Sequence, residues 1–428
     1  YDVVVRYQGG GNAGHTVVNE KGKFALHLLP SGIFRDGVVN ILGNGVALDC
    51  ESLWTEMQDV VSHGVSITPE NLKISDRASL LLPWHRDLDA LEEARLADKK
   101  YGSTKQGIAP FYSDKYQKKT VMAGELLYPE KLWAHLEGIL EWKNLTLERV
   151  YGAKPYRLDD LKAWVADFGE KIKPFVCDTG AFLRQAQADG KNILFEAQLG
   201  SLRDLDYGIY PMTTSSNAIA AYAPVGSGLP SARLDEVVGV VKAYSSCVGE
   251  GPFTCEWFGE EAEQLRSAGG EYGAKTGRPR RVGPIDIVAT RYGVQCQGAT
   301  NIALTKLDVL SYMDKIPVCA HYELNGEQID YFPFPAVLPF PGIGKPGCPP
   351  AHYQVMGRIQ RTYPAIYYKG NPVAELCGIM HIVGREYNCF SFLLLFQNHI
   401  LHHTAVGRIQ PACRLIKKKK ARIMLQRP

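Results

Sequence analysis

Asp2-Val3-Val4-Val5-Arg6 runs, through Tyr7, into Gln8-Gly9-Gly10-Gly11-Asn12-Ala13-Gly14-His15, and this junction decides the fold. A short β-branched run bounded by glycines reads as a buried strand, and the glycines open a tight loop after it. Working outward, Phe24 to Leu29 and Val38 to Leu42 are further strand candidates. Helical spacing follows at Glu51 to Val61, Asp87 to Ala97, Pro129 to Lys143 and Asp159 to Lys171. Strand patterns return at Asn192 to Glu196, Glu236 to Tyr244, Asn301 to Thr305 and Val318 to Leu324. Apolar strands alternating with amphipathic helices predict an α/β fold with a mostly parallel central sheet and flanking helices. In such sheets ligands sit in the loops that leave the strands.

The charge is unevenly spread. The 428 residues carry 48 Lys and Arg against 45 Asp and Glu, a net +3, yet residues 338–428 hold 13 basic and 2 acidic residues and no Asp. The body 1–337 is therefore acidic and the tail basic. Pro335 to Pro350 contains six prolines, and no sustained 2.0 or 3.6 period follows it. Gly-Arg-Ile-Gln occurs at both 357–360 and 407–410, Lys417 to Lys420 is a basic run, and five of the 11 histidines lie in this part. The composition predicts a basic, poorly ordered tail and resembles translation of a wrong frame or an intron. A nucleic-acid arm is disfavoured because the charge is scattered and the body acidic.

Ten cysteines without a Cys-x-x-Cys pair make neither a disulfide framework nor a zinc ribbon, which points to reduced thiols in a cytoplasmic protein. Cys389 to Phe396, the most apolar stretch, is far short of the ~20 residues a membrane helix needs. The start at Tyr1, directly in an apolar run, predicts that the chain is a fragment.

Four segments carry chemistry. In Gly9 to Thr16, glycines let backbone N–H groups approach a phosphate, with His15 as the titratable group; an ordinary tight turn is the plain alternative. Thr305-Lys306-Leu307-Asp308 places a carboxylate and a lysine after a strand, the donor set that selects guanine, although an Asp there is often only a helix cap. Tyr272 to Arg281 is a Gly/Thr loop followed by Arg278, Arg280 and Arg281, forks that can grip a carboxylate. Asp204 to Asn217 packs Thr213, Thr214, Ser215 and Ser216 together, neutral donors suited to a phosphate monoester.

Together with Leu28-Leu29-Pro30-Ser31-Gly32, Gly43-Asn44-Gly45, Gly107 to Lys115 and Tyr210-Pro211, these segments over residues 1–337 closely resemble adenylosuccinate synthetase. The resemblance implies a P-loop-NTPase-like architecture. It also implies a Mg²⁺-dependent homodimeric ligase that uses GTP to join IMP and L-aspartate through 6-phosphoryl-IMP. By the same resemblance His15 is the general acid at the transferring phosphoryl group, and Gly14 lends its carbonyl to Mg²⁺. Asn12, Thr104, Lys118, Thr214 and Arg278 hold IMP; Thr276, Arg278 and Arg280 hold aspartate; Gly14, His15, Arg280, Lys306 and Asp308 hold GTP.

Departures from the family pattern are expected to matter. The Gly-Asp-Glu-Gly-Lys-Gly-Lys loop, with the catalytic base, should precede Tyr1 and is absent from the sequence given, which predicts impaired activity. Ala109 and Lys118 stand where the family has Gly and an Arg that crosses the dimer interface. Leu199 stands where the family has an IMP-contacting Gln, with Gln198 beside it. The competing reading is a non-catalytic nucleotide-binding or dimerisation partner; neither membrane nor nucleic acid is expected as a partner.

Overall fold

The computed structural model describes residues 1–273 and 277–335, and the backbone of 352–356, 365–369 and 393–395. Over 1–337 the sequence predicts one domain, whereas the described chain forms two compact units. The first comprises Tyr1–Leu234 with Gly249–Pro252 and the second Asp235–Val248 with Phe253–Pro333.

In the first unit the strands run in the order Val176–Cys177, Leu72–Ser75, Val39–Leu42, Val3–Arg6, Ile193–Glu196. Every neighbouring pair is parallel. Alternating side chains serve both faces: Val3, Val5 and Ile41 pack with Leu183 and Ala186 of the helix Thr179–Ala188. Leu42, Leu72 and Ile74 pack on the other side with Leu53, Met57 and Val60 of the helix Cys50–Ser62. Burial on both faces explains why these strands read as unbroken apolar runs, and the α/β class predicted from sequence is the one observed. Local chemistry starts the helices: Asp49 accepts from the Ser52 N–H at 3.0 Å and Asp178 from the Ala181 N–H at 2.8 Å.

The strand expected over Phe24 to Leu29 is found at Gly22–Leu26, in an antiparallel hairpin with His15–Asn19. It stops there because the next three amides, of His27, Leu28 and Leu29, donate to the Glu56 carboxylate at 2.9–3.1 Å instead of to a strand. The helix expected from Asp87 begins at Pro83, whose missing N–H costs nothing at a first turn, and runs to Leu96.

In the second unit Val238–Lys242 lies parallel to Asn301–Thr305, while Arg281–Asp286 pairs antiparallel with Tyr244–Cys247 and parallel with Ile316–Leu324. The single strand read over Glu236 to Tyr244 thus splits at Ala243 between two sheets. Leu265, Val282, Ile285, Val294, Ile302 and Leu304 form a separate core. After residue 337 the backbone at His352–Met356 pairs with Ile316–Leu324, Ala365–Lys369 pairs with Asn301–Thr305, and Leu393–Leu395 pairs with Ala365–Lys369. No helix among the described residues is long and apolar enough to cross a membrane.

Candidate active site

The Gly-rich loop leaves the carboxyl end of Val3–Arg6, beside the carboxyl end of Ile193–Glu196. Gly9 has φ +78°, and a Cβ there would lie 2.1 Å from Gln198 Nε2, so only glycine fits. Gln8 and Gln198 exchange side-chain bonds to each other's carbonyls at 2.8 and 2.9 Å, and Ser216 Oγ donates to Gln8 Oε1 at 2.9 Å. Asn12 Nδ2 donates to Thr214 Oγ1 at 3.4 Å. Gly11 faces Gln106, whose Nε2 donates to the Thr104 carbonyl at 3.3 Å. Asn12, Thr214 and the Thr104 loop therefore gather around one stretch of backbone. Gln198 is committed to Gln8, and Leu199 is exposed at φ +80°. Lys118 is exposed past the end of the helix Ile108–Tyr116, roughly 13 Å of helix away from Gly107.

His15 opens the hairpin, next to the exposed backbone of Gly14. Its Nε2 lies 3.6 Å from Glu196 Oε1, beyond hydrogen-bond range, and both buried ring nitrogens lack a hydrogen-bond partner. Burial, then the Arg6 charge, push its pKa down to about 4, against the pull of Glu196. Glu196 is already engaged: it takes Arg6 Nη1 at 2.7 Å and the Ser31 N–H and Oγ at 3.0 and 2.5 Å. The imidazole is thus neutral at pH 7, with an N–H that no protein group accepts.

The second unit holds the other predicted residues. Glu271, 2% exposed, accepts from Lys242 at 2.7 Å, Arg280 at 2.9 Å and the Tyr244 hydroxyl at 2.5 Å. Arg281 forks onto Glu256, with Nε at 2.8–2.9 Å. Lys306 and Asp308 are both exposed directly after Asn301–Thr305. Lys306 has φ +61°, a conformation rare outside glycine and concentrated at functional sites. The side chain of Asp308 is no cap: the short turn Asp308–Leu310 starts after Leu307 without a side-chain cap. Arg278 lies on the same loop as Arg280, and Thr276 falls outside the described residues.

Sequence reasoning missed Arg6, Gln8, Glu196, Lys242 and Glu271. For two of them a signal existed, since Arg6 and Glu196 are charges that close apolar strands at their carboxyl ends, where a parallel sheet places ligands.

The sequence profile of adenylosuccinate synthetase matches residues 1–338. The chain belongs to the adenylosuccinate synthetase family. It is 43% identical over 332 residues to the synthetase of Clostridium acetobutylicum, covering 78% of each chain. The synthetase of Streptococcus gordonii is 42% identical over the same length, with 78% of this chain and 77% of that one covered. The fully ligated synthetase of Plasmodium falciparum superposes with a TM-score of 0.74 at 30% identity, covering 83% and 82% of the two chains. The family is a C–N bond-forming ligase of purine biosynthesis that joins IMP and aspartate at the expense of GTP, with Mg²⁺.

Among the described residues no three of His, Cys, Asp and Glu gather to cage a metal ion. Mg²⁺ needs no such cage: it keeps its waters and takes substrate phosphates with one or two protein oxygens. Exposed backbone at Gly14, beside a histidine without a partner, fits that mode.

Proposed function

We propose that the residues singled out above are those that serve the family reaction, and that the gathering of Asn12, Thr214 and the Thr104 loop beside an unpartnered His15 marks the IMP and phosphoryl-transfer centre. IMP is held by Asn12, Thr104 and Thr214. Its O6 takes the γ-phosphoryl group of GTP as N1 gives up its proton, leaving GDP and 6-phosphoryl-IMP, and the amine of aspartate then displaces phosphate and loses a proton. His15 donates an N–H to the transferring group. The triphosphate's negative charge raises the imidazole's proton affinity as it arrives, so a group neutral in the free protein becomes an effective acid with substrate bound. Gly14 offers its carbonyl to Mg²⁺, which when bound neutralises charge on the phosphate oxygens.

Thr276, Arg278 and Arg280 grip aspartate, and Lys306 and Asp308 read guanine. Exposed Lys118 serves a second copy of the chain in a homodimer, keeping the charge of an arginine and losing its fork. The setting is cytoplasmic. The test is adenylosuccinate formation with IMP, aspartate, GTP and Mg²⁺ each omitted in turn, repeated with Asn12→Ala. All four should be required, and the variant should raise the KM for IMP while that for GTP stays put. Turnover with ATP as readily as with GTP, or an IMP KM indifferent to Asn12, would overturn the assignment.

A further inference from the structure

The helix Pro83–Leu96 carries three buried polar side chains on one face, His85, Asp89 and Glu93, at successive spacings of four. Each engages the stretch 101–116 in chain order. Glu93 Oε1 and Oε2 accept from the N–H groups of Tyr101 and Gly102, both at 3.1 Å. Asp89 accepts from Ser103 Oγ at 2.7 Å and from the Gly107 N–H at 2.9 Å. His85 takes the Leu82 N–H on Nδ1 at 2.9 Å, which leaves Nε2 to donate to Asp114 at 2.9 Å. Asp114 also pairs with buried Lys143.

The two bends of this stretch are the ones being held. Gly102 and Gly107 are both left-handed, at φ +77° and +75°, and a Cβ on Gly107 would meet the His85 backbone carbon at 2.7 Å. Between them only Ser103-Thr104-Lys105-Gln106 projects, with Thr104 and Lys105 exposed. Two acids buried one helical turn apart are expensive: burial pushes the Asp89 carboxyl up, and the charge of Glu93 adds to it. That cost is met by hydrogen bonds from loop backbone N–H groups and from the Ser103 hydroxyl.

We propose that Asp89 and Glu93 are positioning residues for nucleotide binding, a latch that clamps both glycine bends of residues 101–107 so that Thr104 is presented to IMP in one conformation. His85 with Asp114 anchors the helix that continues from this loop. The inference rests on the reading that Thr104 touches IMP, and the experiment separates the two.

Amide hydrogen exchange over residues 101–107 reads the latch without any nucleotide, and calorimetry reads the dissociation constants for IMP and GTP. Glu93→Gln replaces one acceptor by an NH₂ that faces an N–H donor, and Asp89→Asn is a second, milder variant should the first not fold. Either should speed exchange at 101–107 and weaken IMP binding by about tenfold, with GTP binding within about twofold. Thr104→Ala should weaken IMP by itself, and adding Glu93→Gln to it should then cost little more, because the latch acts through the loop. Unchanged exchange in both acid variants overturns the latch. Changed exchange with an unaltered IMP constant in Thr104→Ala overturns the Thr104 reading instead. Equal weakening of IMP and GTP, additive with Thr104→Ala, would make the two acids merely structural and also overturn the proposal.

Discussion

Glu196 and Glu271, one in each unit, are acids set against cations, and they do opposite things with them. Glu196 spends its oxygens on Arg6 and Ser31, so His15 at 3.6 Å is left outside the pairing and stays neutral. Glu271 faces two cations, Lys242 and Arg280, and leaves a net positive charge at the surface of its unit. Burial works against the Glu271 carboxylate, but hydrogen bonds from Lys242 and Tyr244 and the Arg280 charge hold its pKa below the ordinary value. One acid so leaves a neighbouring histidine neutral; the other holds two cations in place.

The strongest way to break this contrast is His15→Ala. If the histidine is the poised donor, adenylosuccinate formation falls by about 10²- to 10⁴-fold while IMP affinity hardly moves. Loss of IMP binding in equal measure would make it a binding residue.

Glu271→Ala strikes the other side. It strands Lys242 and Arg280, and because both are about one-third exposed they recover part of the loss from water, so a destabilisation of about 2–3 kcal/mol is expected. Denaturant unfolding measures it, and a change below about 1 kcal/mol would show that the cluster is surface electrostatics only.

Acidification gives the smallest effect and sharpens the comparison. The folded pKa of His15 is lowered from 6.5 to about 4, so between those values the unfolded chain binds the extra proton and stability falls as pH falls. The pKa of Glu271 is lowered from 4.5, so its contribution is present above that value and lost below it. Unfolding measured across pH should show two declines, the upper one reduced by His15→Ala with buried His85 supplying the remainder, and the lower one reduced by Glu271→Ala with Asp114 supplying part of the remainder.

The strands Val3–Arg6, Val39–Leu42, Ile193–Glu196 and Asn301–Thr305 were legible because burial on both faces, or a glycine stop, is written in consecutive residues. The helix Ile108–Tyr116 was not picked out by period, since it is short and its register comes from Asp114 meeting His85 and Lys143. The motifs around His15, Thr214, Arg280 and Asp308 stood out by composition and order along the chain.

Other features belong to tertiary structure alone. That Glu56 ends a strand, that Gln198 is committed to Gln8, that Glu196 keeps its charge from His15 and that Glu271 gathers Lys242 and Arg280 are pairings between residues 9 to 190 positions apart. Periodicity and turn chemistry act over a few neighbours and can be read from the chain itself. Desolvation and charge pairing depend on which distant segments the fold brings within a few ångströms, and these set the protonation of the histidine and the placement of the arginine.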